Sequence, residues 1–419
     1  LSIRRQRQMC IRDRPPWLPD AVRAEAESLS ARSSYHFADM APAAVEALYG
    51  KTLPLSASKL DCFAGCRYAF FLQYGLRALP WKQAEFDAPL FGSFVHDVLE
   101  HVVREAQAQG GFAALTDAQV AALTERCMDA CMQTYLPQGD ARASREGYLS
   151  TRNRQEAAAV VLDVARELRL SQFTPAAEEL TFAPGGQMPP IVYHASRGDG
   201  LLTGKIDRVD TYEKDGTTYF RIVDYKTGRK DFSYTDLLYG KDLQMLLYLF
   251  ALQENQKKAG HPMQPAGALY VPGRCDMIRL EPGEDAGEAD AERRKQLRRK
   301  GLVLQDEAIL QAMEHYDDEP QYLPVQLKKD GLTGDLATPA QLAALERFVT
   351  GQVAAMIDEI LSGKTQPNPV DRGPADSACR WCDYSSACHK DVCAVSPRRF
   401  AAVKADEFWQ EIERRQRHG

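Results

Sequence analysis

Apolar residues recur along this chain with two different periods. Phe91, Val95, Val98, Leu99 and Val102 fall at helical spacing and predict a helix over residues 91–103. Residues 55–79 read as a helix opened by Ser56 or Ser58 as cap, and residues 113–170 as a polar helical stretch. From Glu179 the period drops to two. Residues 179–182, 201–212 and 218–225 predict three strands, with Lys214-Asp215-Gly216 as the hairpin turn between the last two. Residues 242–252 return to helical spacing, and the short apolar run 267–271 suits a buried strand. The charge-dense segment 281–300 predicts a loop leading into an exposed helix, and Pro339–Leu361 an amphipathic helix ended by Gly363. Helix, three strands, helix and strand in that order predict a mixed α/β core with helical insertions.

Composition narrows the class. A chain of 419 residues holds one large domain or two ordinary ones. No apolar run is long enough to span a membrane and no secretory segment opens the chain, so the expectation is a cytoplasmic protein with no membrane partner. The net charge of −6 does not advertise nucleic-acid binding; a DNA-contacting surface would have to be local. Ten cysteines in such a protein point to buried thiols or metal ligands before disulfides. Residues 1–14 lack an initiating Met and resemble non-native sequence, so they are set aside, Cys10 included; residues 15–52, Ala- and Glu-rich, read as a helical linker or the end of a preceding region. Two Gly-Lys-Thr triplets, at Gly50 and Gly363, are not phosphate loops. The required earlier Gly is replaced by Val45 and Asp358, and no ATPase motor is legible.

The candidate chemistry starts on the predicted hairpin. In Ile222-Val223-Asp224-Tyr225-Lys226, strand alternation sets Asp224 and Lys226 on one face. Pairing across the hairpin would bring Asp207 near Asp224. Two hard carboxylates on adjacent strands suit Mg²⁺, and a nearby lysine can assist attack by water. An Asp-x-Lys alone is as readily a solvated strand end. Gln244 and Tyr248 share a helix face at i, i+4. His96 sits off the apolar stripe of its helix, and Glu179 heads the first strand; each has an ordinary structural reading too.

A second constellation closes the chain. Cys379, Cys382 and Cys388 form C-x2-C-x5-C, one ligand short of a full metal set. His389, Cys393, Cys62 and Cys66 are candidates for the fourth, and spacing leaves zinc and iron–sulfur open.

At this point the motifs resemble a known family. Gly92-Ser93-Phe94-Val95-His96, Gly204-Lys205-Ile206-Asp207, Asp224-Tyr225-Lys226-Thr227-Gly228 and Gln244-x-x-x-Tyr248 are similar, in order and spacing, to the RecB-like branch of the PD-(D/E)xK nucleases. The resemblance implies a restriction-endonuclease-like core, a central mixed sheet flanked by helices. It implies that His96, Asp207 and Asp224 ligate Mg²⁺ with a backbone carbonyl, that Lys226 is catalytic, and that Gln244 and Tyr248 support the site and contact DNA. The family's first-strand acid falls on Glu179, or less well on Glu178. Leu55 to Phe71, with Cys66 followed by aromatics, resembles the opening of the iron–sulfur nucleases of the AddB family, as do the segments around Tyr49 and Tyr322. That implies a [4Fe-4S] cluster on Cys66, Cys379, Cys382 and Cys388, acting as a staple between distant segments.

The resulting expectation is a nuclease domain over residues 53–395 with a helical tail over 396–419. It would be a Mg-dependent deoxyribonuclease (an exonuclease) of an AddB-like subunit, hydrolysing phosphodiesters during end resection of double-strand breaks for recombinational repair. Its partners would be DNA and an AddA-type helicase–nuclease subunit. The rival readings are a non-catalytic DNA-binding scaffold with a structural metal cluster, a free-standing RecB-like nuclease of CRISPR-associated type, and a zinc-binding interaction module. The length argues against the second.

Overall fold

The computed structural model describes residues 19–22, 24–25, 37–79, 88–135, 145–275, 286–329, 331–373, 376–388, 390, 395 and 397–418. The expectations for residues 1–14, for most of 15–36 and for 281–285 lie outside the described residues. Strands β5 (Gly204–Lys214) and β6 (Thr217–Lys226) pair antiparallel from Lys214↔Thr217 to Arg208↔Val223. Asp215 and Gly216 make the turn, with φ of 51° and 78°. Two left-handed residues match the right-handed twist of the flanking strands, so this turn fixes the register. Continued by one residue, that register sets Asp207 opposite Asp224.

The hairpin sits inside a six-stranded sheet with β2 (Thr174–Phe182), β7 (Met263–Pro272), β8 (Lys300–Leu304) and β11 (Leu336–Ala337). The strand order is β11-β8-β7-β6-β5-β2. The β6–β7 and β8–β11 pairs are parallel and the others antiparallel, so the sheet is mixed, as the order of elements predicted. A separate hairpin, β9 (Val325–Lys328) with β10 (Gly331–Gly334), leads into β11. Helices cover both faces of the main sheet. Phe220, Ile222, Ala268 and Leu269 pack into a large core with α8 (Gln244–Lys258) and α11 (Pro339–Leu361). Every residue of α8 from Met245 to Leu252 is buried, because the helix lies between the sheet and α11. The same core takes in Val45 and Tyr49 of α1 (Pro42–Tyr49), Leu237 of α7 (Tyr234–Leu238) and Ile309 of α10 (Glu307–Met313). Val223, Tyr225 and Val271 face a second core built from α4 (Ala88–Ala108), α5 (Asp117–Tyr135) and α6 (Arg145–Leu170). After the short α12 (Ser385–Cys388), the last helix, α13 (Ala405–His418), docks on α11 through Phe408, Trp409 and Ile412. No helix among the described residues is long and apolar enough to cross a membrane.

Several sequence-based bounds shift, each for a tertiary reason. The predicted helix over 55–79 is preceded by a strand, β1 (Thr52–Leu55), which buries Leu53 and Leu55 by alternation. It then breaks into α2 (Ala57–Gly65) and α3 (Arg67–Phe70) at Cys66, whose backbone is extended. The C-terminal segment holds that break open: Val370 N–H donates to the Gly65 carbonyl at 3.0 Å, and Arg67 N–H to Asn368 Oδ1 at 2.8 Å. The single strand predicted over 201–212 is two. β4 (Gly198–Leu202) belongs to a separate three-stranded sheet with β1 and β3 (Ile191–Ala195), and Thr203 turns aside to donate its N–H to the Leu55 carbonyl at 3.0 Å. The charge-dense segment does hold the expected exposed helix, α9 (Ala286–Leu297); β8, which starts at its last residue, is an unpredicted member of the main sheet.

Between the sheet and α6 lies a fully buried charge network. Arg208 Nε and Arg221 Nε each donate to Asp210 at 2.8 Å. Glu167 of α6 stands 3.3 Å from Arg221 Nη1 and accepts from Arg299 at 2.6 Å and 2.9 Å. Arg299 also pairs with Asp163. Burial alone would raise the Glu167 carboxyl; Arg299, Arg221 and Arg208 outweigh it and hold the group down at about 2. Removing one member of such a network strands buried charge. Glu167→Ala is expected to lower stability by roughly 3–5 kcal/mol at neutral pH, read from urea midpoints. Because the folded carboxyl is depressed, the loss should be full above the unfolded value near pH 4.5 and fade as pH falls toward 2.

Candidate active site and cysteine cluster

Five elements meet at one end of the hairpin: α4 supplies His96, β2 Glu179, β5 Asp207, β6 Asp224 and Lys226, and α8 starts there with Gln244. α4 can approach because Gly92 carries no side chain; a Cβ there would stand 3.1 Å from the Thr227 hydroxyl. His96 lies between two hairpin oxygens, Nδ1 3.3 Å from Asp207 Oδ2 and Nε2 2.7 Å from the Tyr225 carbonyl. The Tyr225 N–H in turn donates to Asp207 Oδ2 at 2.8 Å. Glu179, at φ 52°, interrupts the regular backbone of β2, and its carboxylate pairs with Lys205. The ligand atoms of His96, Glu179 and Asp207 all lie within 4.8 Å of one another.

Asp224 stands beside that trio rather than in it. Gln244 Nε2 donates to its Oδ1 at 2.8 Å, and Lys226 Nζ lies 2.6 Å from its Oδ2. Tyr248, one helical turn after Gln244, stacks on Phe182 at 6.2 Å between centroids and hydrogen-bonds the Lys205 backbone. A Cβ on Gly204 would fall 2.5 Å from the Tyr248 ring, so only glycine lets β5 begin there. Tyr248 thus acts on the site through the backbone leading to Asp207.

The electrostatics are those of an anionic site. Burial, then the Asp207 charge, push the Asp224 carboxyl up to about 6. For His96, burial disfavours the cation, but Asp207, Asp224 and the Tyr225 carbonyl outweigh it and raise its pKa. Asp224 Oδ2 is buried and takes no hydrogen bond beyond its ion pair with Lys226. Carboxylates with one imidazole are a hard donor set that suits Mg²⁺ or Mn²⁺. The residues present therefore fit a divalent cation.

The cysteines converge at the other end of the chain's path. Cys66, Cys379, Cys382 and Cys388 line one small cavity with Tyr68, Pro369 and Tyr384. Burial and the neighbouring thiols push Cys388 up to about 11 and raise Cys382 as well. Cys62 is close: burial, then Cys66 and Cys382, push it up to about 12, and its Sγ lies 3.5 Å from Gln73 Oε1. His389 and Cys393, the local alternatives, lie outside the described residues. Four thiols around one cavity are a donor set that fits zinc or an iron–sulfur cluster.

Residues 54–389 match the family model described as the PD-(D/E)XK nuclease superfamily. This chain belongs to that superfamily. It is also similar to the AddB subunits of the ATP-dependent helicase/deoxyribonuclease of several bacteria. The identity is 31% over 385 residues for Thermoanaerobacter sp. (strain X514), covering 89% of this chain and 33% of the relative. It is 30% over 404 residues for Acetivibrio thermocellus, covering 93% and 35%, and 32% over 384 residues for Moorella thermoacetica, covering 88% and 33%. The chain spans about a third of the length of these relatives.

Some residues of the candidate site escape a reading of the sequence. Tyr225 stands between the two motif residues with no signal of its own. Its N–H holds Asp207, its carbonyl holds His96, and its hydroxyl accepts from Arg208 Nη1 at 2.7 Å. The buried Arg208, Asp210 and Arg221 escape it too, although a signal exists: the hairpin register pairs Asp210 with Arg221, opposite charges inside otherwise apolar strands.

The raised Asp224 carboxyl makes a stability prediction. A folded-state value above the unfolded one favours the proton, so stability is present at low pH and lost as pH rises through about 6. Asp224→Asn should therefore raise the stability of the metal-free protein at pH 8 by on the order of 2 kcal/mol, with the gain gone by about pH 4. Thermal melting of both proteins in chelator across that range checks it; added Mg²⁺ should stabilise the parent and not the variant.

Proposed function

We propose that this protein is a Mg²⁺-dependent deoxyribonuclease, an AddB-type nuclease region that hydrolyses phosphodiester bonds during end resection. The observation that carries the reading is the convergence of His96, Glu179 and Asp207 beside the Asp224–Lys226 pair at one strand end. His96, Asp207 and Asp224 would hold the ion with the Tyr225 carbonyl, and Glu179 would add a fourth side chain. Bound there, Mg²⁺ would neutralise phosphate charge and make the attacking water more acidic. Gln244 fixes one Asp224 oxygen and so orients the other. The Lys226 ammonium, held at the rim of the site, can donate to the attacking water or to a phosphate oxygen as charge builds. His96 must shed its proton before it can ligate, and its raised pKa moves that step to higher pH than for a free imidazole.

In this reading Cys66, Cys379, Cys382 and Cys388 hold a [4Fe-4S] cluster whose role is structural. It would close a loop of more than 300 residues, removing unfolded-chain entropy worth about 5 kcal/mol. The relatives' names, each a subunit of an ATP-dependent helicase/deoxyribonuclease, support a place in a helicase–nuclease acting on DNA; an AddA-type partner and a cytoplasmic location belong to the same reading.

Two experiments test these assignments. On labelled DNA with Mg²⁺, Asp224→Ala should abolish cutting with DNA binding largely kept, and Lys226→Ala should slow cutting by about 100- to 1000-fold. A parent protein that binds DNA without cutting it would favour a scaffold instead. Anaerobically purified parent should carry about four irons per chain by colorimetric assay. Cys382→Ser should lose that iron and melt at a lower temperature. Zinc in place of iron would overturn the iron–sulfur assignment, and an iron-free Cys382→Ser protein with undiminished melting temperature would overturn the staple.

A further inference from the structure

Beyond Lys226 the site opens into a groove between the end of β6, the end of β7, α9 and the start of β8. Lys226, Arg229, Lys230, Arg274, Lys295 and Lys300 line it, against two acids, Asp231 and Glu292. The chain as a whole carries −6, so this is a strong local reversal of sign. The groove encloses about 350 Å³, far more than an isolated ion or a few waters need.

Its floor is rigid. Tyr270 is buried, pairs in register with Asp224 on one side and Lys300 on the other, and lies under two ammonium groups. Lys226 Nζ stands 6.0 Å and Lys230 Nζ 5.6 Å from its ring centroid. Three sheet neighbours thus run from the candidate metal ligand, through an aromatic floor, to a groove cation. Arg274 is held by the largely buried Glu156 at 3.1 Å, whereas the two outer lysines have looser partners among the described residues, Lys295 with Glu292 at 3.4 Å and Lys300 with Asp231 at 3.7 Å. Solvent-facing pairs of this kind contribute little, so a phosphate can displace them.

We propose that this groove binds the phosphodiester backbone of the DNA strand adjacent to the bond being cut. The proposal rests on the nuclease reading and adds the path of the strand: from the carboxylates, past Lys226 and over Tyr270, to α9. Arg274, Lys295 and Lys300 are its outer phosphate contacts. None of these three belongs to the predicted motifs.

Binding is measured apart from cutting, with Ca²⁺ replacing Mg²⁺ and a fluorescent single-stranded oligonucleotide of fixed length as probe. The Arg274→Ala, Lys295→Ala, Lys300→Ala triple variant should bind at least tenfold more weakly at low salt. Its plot of log K against log salt should be shallower by about 2, since each single-strand phosphate contact contributes about 0.7. Glu292→Gln removes an acid from the groove and should tighten binding, which keeps a readout should the triple variant fail to fold. A folded triple variant with the parent's affinity and salt slope, or an unchanged Glu292→Gln affinity, would overturn the groove. A parent that binds through these residues but does not cut would leave the groove standing and sink the nuclease reading.

Discussion

Two carboxylates, Asp207 and Asp224, are buried side by side at the end of one hairpin, and the surrounding structure is organised around that repulsion. Lys226, His96 and the Tyr225 N–H each lie against one of them. The Asp224 carboxyl nevertheless remains shifted up to about 6, so the protein's own cations offset its burial and the Asp207 charge only in part. A divalent cation would complete the compensation. Such residual strain is characteristic of functional sites, which trade stability for chemistry.

Tyr225 couples this site to the layer beneath it. Its backbone touches Asp207 and His96, while its phenol takes a hydrogen bond from Arg208, inside the network of Arg208, Asp210, Arg221, Glu167 and Arg299. The network joins β5, β6, α6 and the lead into β8, so one set of buried charges fixes the strand pair that aims the carboxylates. α4 is packed against α6 in the same layer and brings His96 to the site.

The cysteine cavity does comparable work at the scale of the whole chain. Cys66 is presented by a break between α2 and α3, and the segment carrying the other three cysteines is hydrogen-bonded to that break. A metal centre there would lock a contact that the polypeptide already makes. Together with α13 on α11, it closes the C-terminal end of the chain back onto the opening of the nuclease domain.

The hairpin and the placing of its charged residues were legible in the sequence. Asp215-Gly216 dictates a tight turn, the turn dictates register, and register sets Asp207 against Asp224 with Lys226 two residues beyond. These are local facts, set by backbone geometry over about twenty residues. Helix periodicity placed α8 and α11 in the same way. What depended on distant partners was not legible: the break at Cys66 needs Asn368 and Val370, and the division of β4 from β5 needs Leu55. The unexpected β8 has a place only because β7 and β11 flank it. Glu179 joins His96 and Asp207 through a left-handed backbone that a glutamate adopts only when its surroundings compel it. Register and period are written in neighbouring residues; burial and charge pairing across more than a hundred residues are settled only when the chain closes on itself.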